Sequence, residues 1–334
     1  MNLIFFCAAK NRPIGGIKVI HQMAEISDRL LAPQGGGAFV CHPNHPSFRV
    51  TWFDTNVRYR PARFGLRLRP KPSLTRIRVG TFDPRQDVVV LPELSVRKYA
   101  AQLAKIGVPY VILVQAGYFI GKGDAAELRA CYSAAKAIWC VSEDTADCVR
   151  MAYPAAAAKV RRFHVAVDAN RFRPLDKEDW IAYLPGKMQR HAQLMRLFAD
   201  PHLPPGWQWK PVSGLSEPAI AELMGRSRIF VALAELEGFG LPPLEAAFAG
   251  NEVIGYHAQG GREFWQGPPF TAVAQGDIPL LARTIISTAK RLTQSKDTTS
   301  PNADSLAVFK ARYSESALTN DLAALTAELV VQTV

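Results

Sequence analysis

The residues IFVALAELEGFGLPPLEAAFAGNEVIGYHAQGGRE, from Ile229 to Glu263, decide how this chain is read. Ile229–Leu233 is an apolar run with the length and content of a buried strand. A turn follows, with Gly238 and Gly240 where backbone freedom or close approach is needed. Pro242 and Pro243 suit the first turn of a helix, where a missing N–H costs nothing. Leu244–Ala249 continue that helix, and Gly250 ends it. A second short strand, Glu252–Tyr256, leads into the pair Gly260–Gly261.

Strand, loop, helix, strand is one half of an open parallel α/β sheet, and ligands of such sheets sit outside the carboxyl ends of the strands. Two carboxylates belong to that place, Glu237 in the loop and Glu245 in the helix. The loop also aims backbone N–H groups and a helix N-terminus at the same space, an arrangement suited to an anion. Carboxylates beside an anion hole imply a ligand with both hydroxyls and phosphates, as a sugar nucleotide has.

The segment Glu237-Gly-Phe-Gly-Leu-Pro-Pro-Leu-Glu245 resembles the E-x7-E motif of retaining, GT-B-fold glycosyltransferases of the family 4 type. The resemblance implies an α/β chain of two Rossmann-like domains whose parallel sheets face each other across a cleft. It also implies transfer of a hexose-type sugar from a nucleotide-sugar donor, with retention, to a glycan, lipid-linked or other hydroxyl acceptor. On this reading Gly238, Phe239, Gly240 and Leu241 bind the donor, Glu245 takes its ribose hydroxyls, and Glu237 orients the transferred sugar. Val167-Asp168-Ala-Asn-Arg-Phe172-Arg-Pro174 resembles the family's interdomain linker, which makes residues 1–167 the acceptor-side domain and 168–334 the donor domain. The last helix of this fold often packs back on the first domain. A Gly-Gly turn, Gly15–Gly16, follows the first apolar strand, Leu3–Ala9, and resembles the turn that faces the donor's phosphates. Where many family members carry a histidine, after the strand Tyr110–Val114, this chain has Gln115, a candidate sugar or acceptor contact. Pro185-Gly-Lys187-Met-Gln-Arg190 stands where the family holds its diphosphate with an Arg and a Lys, here in altered order and spacing. Gly260-Gly-Arg-Glu263 is similar to the family's G-G-x-x-E turn, one position tighter.

Bulk properties agree with a two-domain globular chain: 334 residues at ~150 per domain. No apolar run approaches the ~18 residues a membrane span needs. Five cysteines, Cys7, Cys41, Cys131, Cys140 and Cys148, form no C-x-x-C pair, which points to reduced thiols in a cytoplasm. Residues 1–167 hold 24 Lys+Arg against 11 Asp+Glu, and residues 168–334 hold 16 against 18, so the basic excess lies in the first half. Arg58–Arg78 concentrates eight cations and no acid, which suits peripheral contact with anionic headgroups on the inner membrane face, or an anionic acceptor. No recognisable nucleic-acid module stands behind it, and no nucleic-acid partner is expected. Cys41-His-Pro-Asn-His45 invites a metal reading but lacks a partner cluster with ligand spacing. The chain has no D-x-D pair. No metal or other cofactor is therefore expected, and Lys187, Arg190 and the helix N-terminus near Leu241 take up the charge on the leaving phosphate. A sugar-nucleotide epimerase and a non-catalytic nucleotide-sugar-binding protein on the same fold are the alternatives.

Overall fold

The computed structural model describes residues 1–62, 82–186, 188–295 and 303–331. The chain divides into two compact units, one of Met1–Val141, Thr145–Phe163 and Leu318–Val334, the other of Ser142–Asp144 and His164–Ala317.

The first unit opens with β1 (Asn2–Phe6), α1 (Gly15–Leu31) and β2 (Gly37–Cys41), followed by β3 (Asp87–Pro92), α2 (Val96–Lys105) and β4 (Tyr110–Val114). Then come α3 (Ala125–Ala134), β5 (Ala137–Cys140), α4 (Glu143–Ala152) and β6 (Val160–Arg162). The six strands are all parallel, in the order β2-β1-β3-β4-β5-β6. Parallel strands covered on both faces read as continuous apolar runs, and β4 is buried at every position. Ile4, Phe6, Val89, Leu91, Ile112 and Val114 form one core with α2 and α3 residues such as Leu103 and Tyr132. The glycine pair expected in a loop instead forms the first two residues of α1. The helix begins there because the turn Ile14–Lys18 closes its first hydrogen bond, from the Lys18 N–H to the Ile14 carbonyl.

Two of the eight cations of the basic segment are spent inside this unit. Arg58 pairs with Asp28. Arg60 forks onto the buried Asp87, Nη1 to Oδ1 at 2.9 Å and Nη2 to Oδ2 at 2.8 Å. Burial alone would raise the Asp87 carboxyl; hydrogen bonds from Arg60, Asn2 and the Asp83 N–H outweigh it and hold it below its usual range. Removing one partner of such a buried pair costs about 3–5 kcal/mol. These two arginines are fold residues, not free membrane or acceptor contacts; the other six lie outside the described residues.

His42 follows β2 and is buried, with its Nδ1 at 3.0 Å from the Cys7 carbonyl. His21 of α1 mirrors it on the Ile17 carbonyl at 2.9 Å, and neither Nε2 finds a partner among the described residues. With Nδ1–H donated, each ring is neutral, and burial holds His42 down at about 4. The unfolded chain takes up that proton near pH 6.5 and the folded one near 4, so stability falls as pH drops through that window. Glu93, raised by burial, contributes the opposite sign over part of the same range. In thermal unfolding scans a His42→Gln variant is therefore expected to lose less stability than wild type between pH 6.5 and 4. An equal loss in both would remove His42 from the acid response.

The second unit contains β7 (Glu178–Tyr183), α5 (Gln189–Ala199), β8 (Gln208–Pro211), α6 (Glu217–Arg226), β9 (Ser227–Ala232), α7 (Leu241–Phe248) and β10 (Glu252–Gly255). It ends with β11 (Phe270–Ala272), α8 (Ile278–Gln294), α9 (Ala303–Arg312) and α10 (Glu315–Val331), whose residues from Leu318 onward belong to the first unit. Its five strands are also parallel, ordered β11-β10-β9-β7-β8 around a core that includes Ile181, Ile229, Val231, Ile254 and Leu281. The sequence predicts one closing helix over Phe309–Leu329; two are present. The Ser314 hydroxyl accepts the Ala317 N–H at 3.1 Å, a cap that starts α10 anew. Tyr313, fully buried beside it, gives its carbonyl to the Val167 N–H at 2.9 Å. Asp168, next after Val167, turns the segment that follows it by accepting the Asn170 N–H at 2.9 Å and the Arg171 N–H at 3.2 Å.

Candidate functional site

The strands β9 and β10 are central in the second sheet, and the chain leaving each of them builds one pocket. Leu184, Leu233, Glu237, Gly240, Pro243, His257 and Trp265 line it. Gly240 is the residue before α7 and has φ +84°, a left-handed conformation that favours glycine and directs the chain into the helix. Pro242 and Pro243 then occupy the first turn, as their missing N–H allows. Three things follow from eight helical residues beginning here. Of the backbone N–H groups at the start of α7 those of Pro242 and Pro243 are missing, Glu245 lies one turn in, and Glu237 stands on the loop before it.

This loop is held by backbone. Glu237 forms a parallel bridge with Gln259, its N–H reaching the Ala258 carbonyl at 2.9 Å, and its carbonyl accepts the Gly260 N–H at 3.2 Å. Gly260 lies so close that a Cβ there would sit 2.2 Å from the Gly238 oxygen and 2.3 Å from that of Glu237. Gly261 meets the Phe239 oxygen in the same way at 2.8 Å. The glycine pair is thus the floor under the Glu237–Gly240 turn. On the other side the Ser142 hydroxyl donates to the Gly238 carbonyl at 2.8 Å. Glu263 accepts the Glu143 N–H at 2.9 Å and the Tyr313 hydroxyl at 3.1 Å. Arg262, between the glycine pair and Glu263, pairs with Asp144 at 2.8 Å.

Of the expected cations, Arg190 is exposed in the first turn of α5, directly after β7, and no carboxylate among the described residues pairs with it. Its neighbour His191 meets the hydroxyl of Tyr256, a pocket residue, at 3.1 Å, so the start of α5 borders the pocket. Lys187 lies outside the described residues. Among the described residues no group of three or more His, Cys, Asp or Glu side chains could hold a metal ion.

His257 was not legible as a site residue. Burial, reinforced by the Arg262 charge and opposed by Asp144, lowers it from its ordinary value. The Gln259 N–H donates to its Nδ1 at 3.1 Å, which leaves Nε2–H as a donor in the neutral ring. Only the bridge between the loop and the chain after β10 brings it to Glu237.

In the first unit, Gly16 and Gln115 are brought together. A Cβ on Gly16 would lie 2.9 Å from the Gln115 Oε1, so the glycine is what lets the amide lie across the first turn of α1. Gly15, one residue earlier, is exposed. Gln115 follows β4, and its backbone N–H donates to Glu93 Oε2 at 3.2 Å. Glu93 is a second residue that the sequence reading passed over.

No family profile matches the chain, and no curated protein matches it either. Solved structures do. A sucrose-phosphate synthase from Thermosynechococcus elongatus superposes with a TM-score of 0.67 at 14% identity, over 99% of both chains. HepE from Anabaena, in complex with UDP and glucose, gives a TM-score of 0.68 at 14% identity over 98% of this chain and 99% of that one. The lipopolysaccharide outer core galactosyltransferase WaaB gives 0.65 at 11% identity over 99% of this chain and 100% of its own. At these identities the likeness is one of fold, and it runs the length of the chain: the protein has the GT-B build of two parallel-sheet α/β units that these glycosyltransferases share.

Proposed function

We propose that the protein is a glycosyltransferase that moves a hexose-type sugar from a nucleotide-sugar donor to a hydroxyl acceptor, with retention and without a metal. The observation that carries this is the pocket at the carboxyl edge of the second sheet, lined by Glu237 and by Gly240, Pro242 and Pro243 at the start of α7, with Glu245 one turn further along that helix. That the matching HepE structures hold UDP or UDP-glucose supports a uridine nucleotide as the first donor to try. Breaking the sugar–phosphate bond builds negative charge on the phosphate and positive charge at the anomeric carbon. The α7 N-terminus, Arg190 and Lys187 answer the first. Glu237 holds the sugar's hydroxyls and Glu245 the ribose's. The acceptor hydroxyl attacks from the side the phosphate leaves, and its proton departs with that phosphate. Family 4 membership, a part in polysaccharide biosynthesis, and a cytoplasmic site at the inner membrane face belong to the same proposal. No described helix is long and apolar enough to cross a membrane.

The test is a thermal-shift screen of UDP, ADP and GDP, then a panel of radiolabelled nucleotide sugars with membrane extract, each in EDTA and in magnesium. A diphosphate at a hundred times its Kd is expected to stabilise the fold by about 2.7 kcal/mol. Sugar transfer unaffected by EDTA supports the reading; epimer formation, binding without transfer, or no binding overturns it. Arg190→Ala is expected to weaken the diphosphate's binding about ten-fold, the worth of one hydrogen bond to a charged group. Unchanged affinity in a titration would take Arg190 out of the site.

A further inference from the structure

Most side chains lining the pocket of the second unit are apolar, and few polar groups converge on it. Glu237, Tyr256, His257 and Trp265 bring the side-chain polar atoms. The Tyr256 hydroxyl is already engaged: it meets His191 Nδ1 at 3.1 Å and accepts the Gly276 N–H. His257 is engaged on one side only. The chain after it turns left-handed at Ala258, φ +50°, and Gln259, φ +67°, a conformation uncommon for residues with a Cβ. That turn folds the Gln259 N–H back onto His257 Nδ1 at 3.1 Å. The same turn gives the Ala258 carbonyl to the Glu237 N–H at 2.9 Å, so one piece of backbone fixes both the imidazole and the loop that bears the carboxylate. Burial and the Arg262 charge, opposed by Asp144, favour the neutral ring, in which Nε2 carries the hydrogen. No described residue takes that hydrogen. Trp265, only 6% exposed, likewise has a buried Nε1–H without a partner among the described residues. The pocket thus sets unpaired N–H donors beside a carboxylate, which accepts.

We propose that His257 and Glu237 read one hydroxyl of the donor's sugar between them: the hydroxyl gives its hydrogen to the Glu237 carboxylate, and its oxygen accepts the Nε2–H of His257. The proposal rests on the transferase reading above and makes His257 a residue that decides which sugar the site takes. A hydroxyl fits because a single atom both donates and accepts. A phosphate offers oxygens to His257 but meets Glu237 charge against charge. An apolar group leaves the carboxylate and the N–H unpaired after stripping their water. Between two sugars that differ in configuration at one carbon, the pair selects the one whose hydroxyl lies between them.

The experiment titrates the full chain with UDP-glucose, or with the nucleotide sugar of the panel that binds more tightly. Beside it stand the matching nucleoside diphosphate and analogues that each lack one sugar hydroxyl. Wild type is expected to bind one analogue at least about ten-fold more weakly than the parent, since the carboxylate and the N–H lose their partner together. His257→Asn keeps an acceptor in the place of Nδ1 for the Gln259 N–H and removes the Nε2 donor. It is expected to bind the parent about five-fold more weakly, the worth of one hydrogen bond between neutral groups, and the diphosphate within about two-fold of wild type. Toward the one discriminated analogue, variant and wild type bind alike, because the group that His257 reads is gone. An equal loss with the parent, every analogue and the diphosphate, beside a lower melting temperature, makes His257 a holder of the loop and overturns the proposal. Unchanged binding of the parent by the variant overturns it as well. So does a wild-type chain that binds every analogue as tightly as the parent, a result that stands even if the variant does not fold. A wild-type chain that binds no nucleotide sugar at all overturns the transferase reading, and the role of His257 with it.

Discussion

Glu237→Ala is expected to lower the rate of sugar transfer by about a hundred- to a thousand-fold while leaving nucleoside diphosphate affinity nearly intact. The carboxylate stands on a loop pinned by its bridge to Gln259 and by the Gly260 hydrogen bond, so it is positioned before any ligand arrives. Hydrogen bonds to a charged group contribute about 1.5–3 kcal/mol each. A carboxylate that holds two hydroxyls of the transferred sugar therefore accounts for a loss of that size. Glu245 divides the effects the other way. It sits within α7 and, as a ribose contact, governs affinity: Glu245→Ala is expected to weaken diphosphate binding at least ten-fold, by the same hydrogen-bond worth. Titration calorimetry with UDP, beside single-turnover rates, separates the two. If Glu237→Ala lost diphosphate affinity and Glu245→Ala kept it, the roles would be exchanged; if neither variant changed either quantity, the pocket would not be the donor site.

The contrast between these two glutamates and Glu93 shows what a sequence can carry. Glu237 and Glu245 are eight positions apart, flanked by the glycines and prolines that make a strand-to-helix turn, so their neighbourhood is written in one continuous stretch. Glu93 stands in Leu-Pro-Glu-Leu-Ser with no local signal. Its environment comes from β4, more than twenty residues on, and from a register that only the folded sheet displays. The same holds for Arg58 and Arg60. Their run looks like a solvated or membrane-facing segment until Asp28 and Asp87, 30 and 27 residues away, are seen to take them. The parallel strands were legible because burial on both faces leaves unbroken apolar runs. The restart of the last helix at Ser314 was not, because the apolar spacing continues through it and a single hydroxyl decides it. Gly15 and Gly16 follow β1 as expected, but they open α1 where the sequence reading has a loop. The spacing of a glycine pair does not say which side of a helix start it falls on.

Gly260→Ala tests the site through its floor and not through its chemistry. The added carbon would stand 2.2 Å from the Gly238 oxygen, 2.3 Å from that of Glu237 and 2.4 Å from the Gly238 carbonyl carbon. All three are backbone atoms, so no side chain can swing away. Either the 237–240 turn lifts or the chain after β10 retreats, and both break the Gly260 hydrogen bond to the Glu237 carbonyl. Overpacking of this kind costs about 1–3 kcal/mol, or more where backbone must move. For a unit of this size that is a drop of roughly 5–10 °C in melting temperature. The effect on transfer is expected to exceed the effect on stability, because displacing a positioning group by ~1 Å alone lowers rates about a hundred-fold. Gly121→Ala is the control: nothing lies within 4 Å of the carbon it adds, and it should change neither quantity. A Gly260→Ala protein with wild-type melting and wild-type transfer would mean that the turn bearing Glu237 does not depend on the surface beneath it. The rigidity argued for that carboxylate would then fail with it.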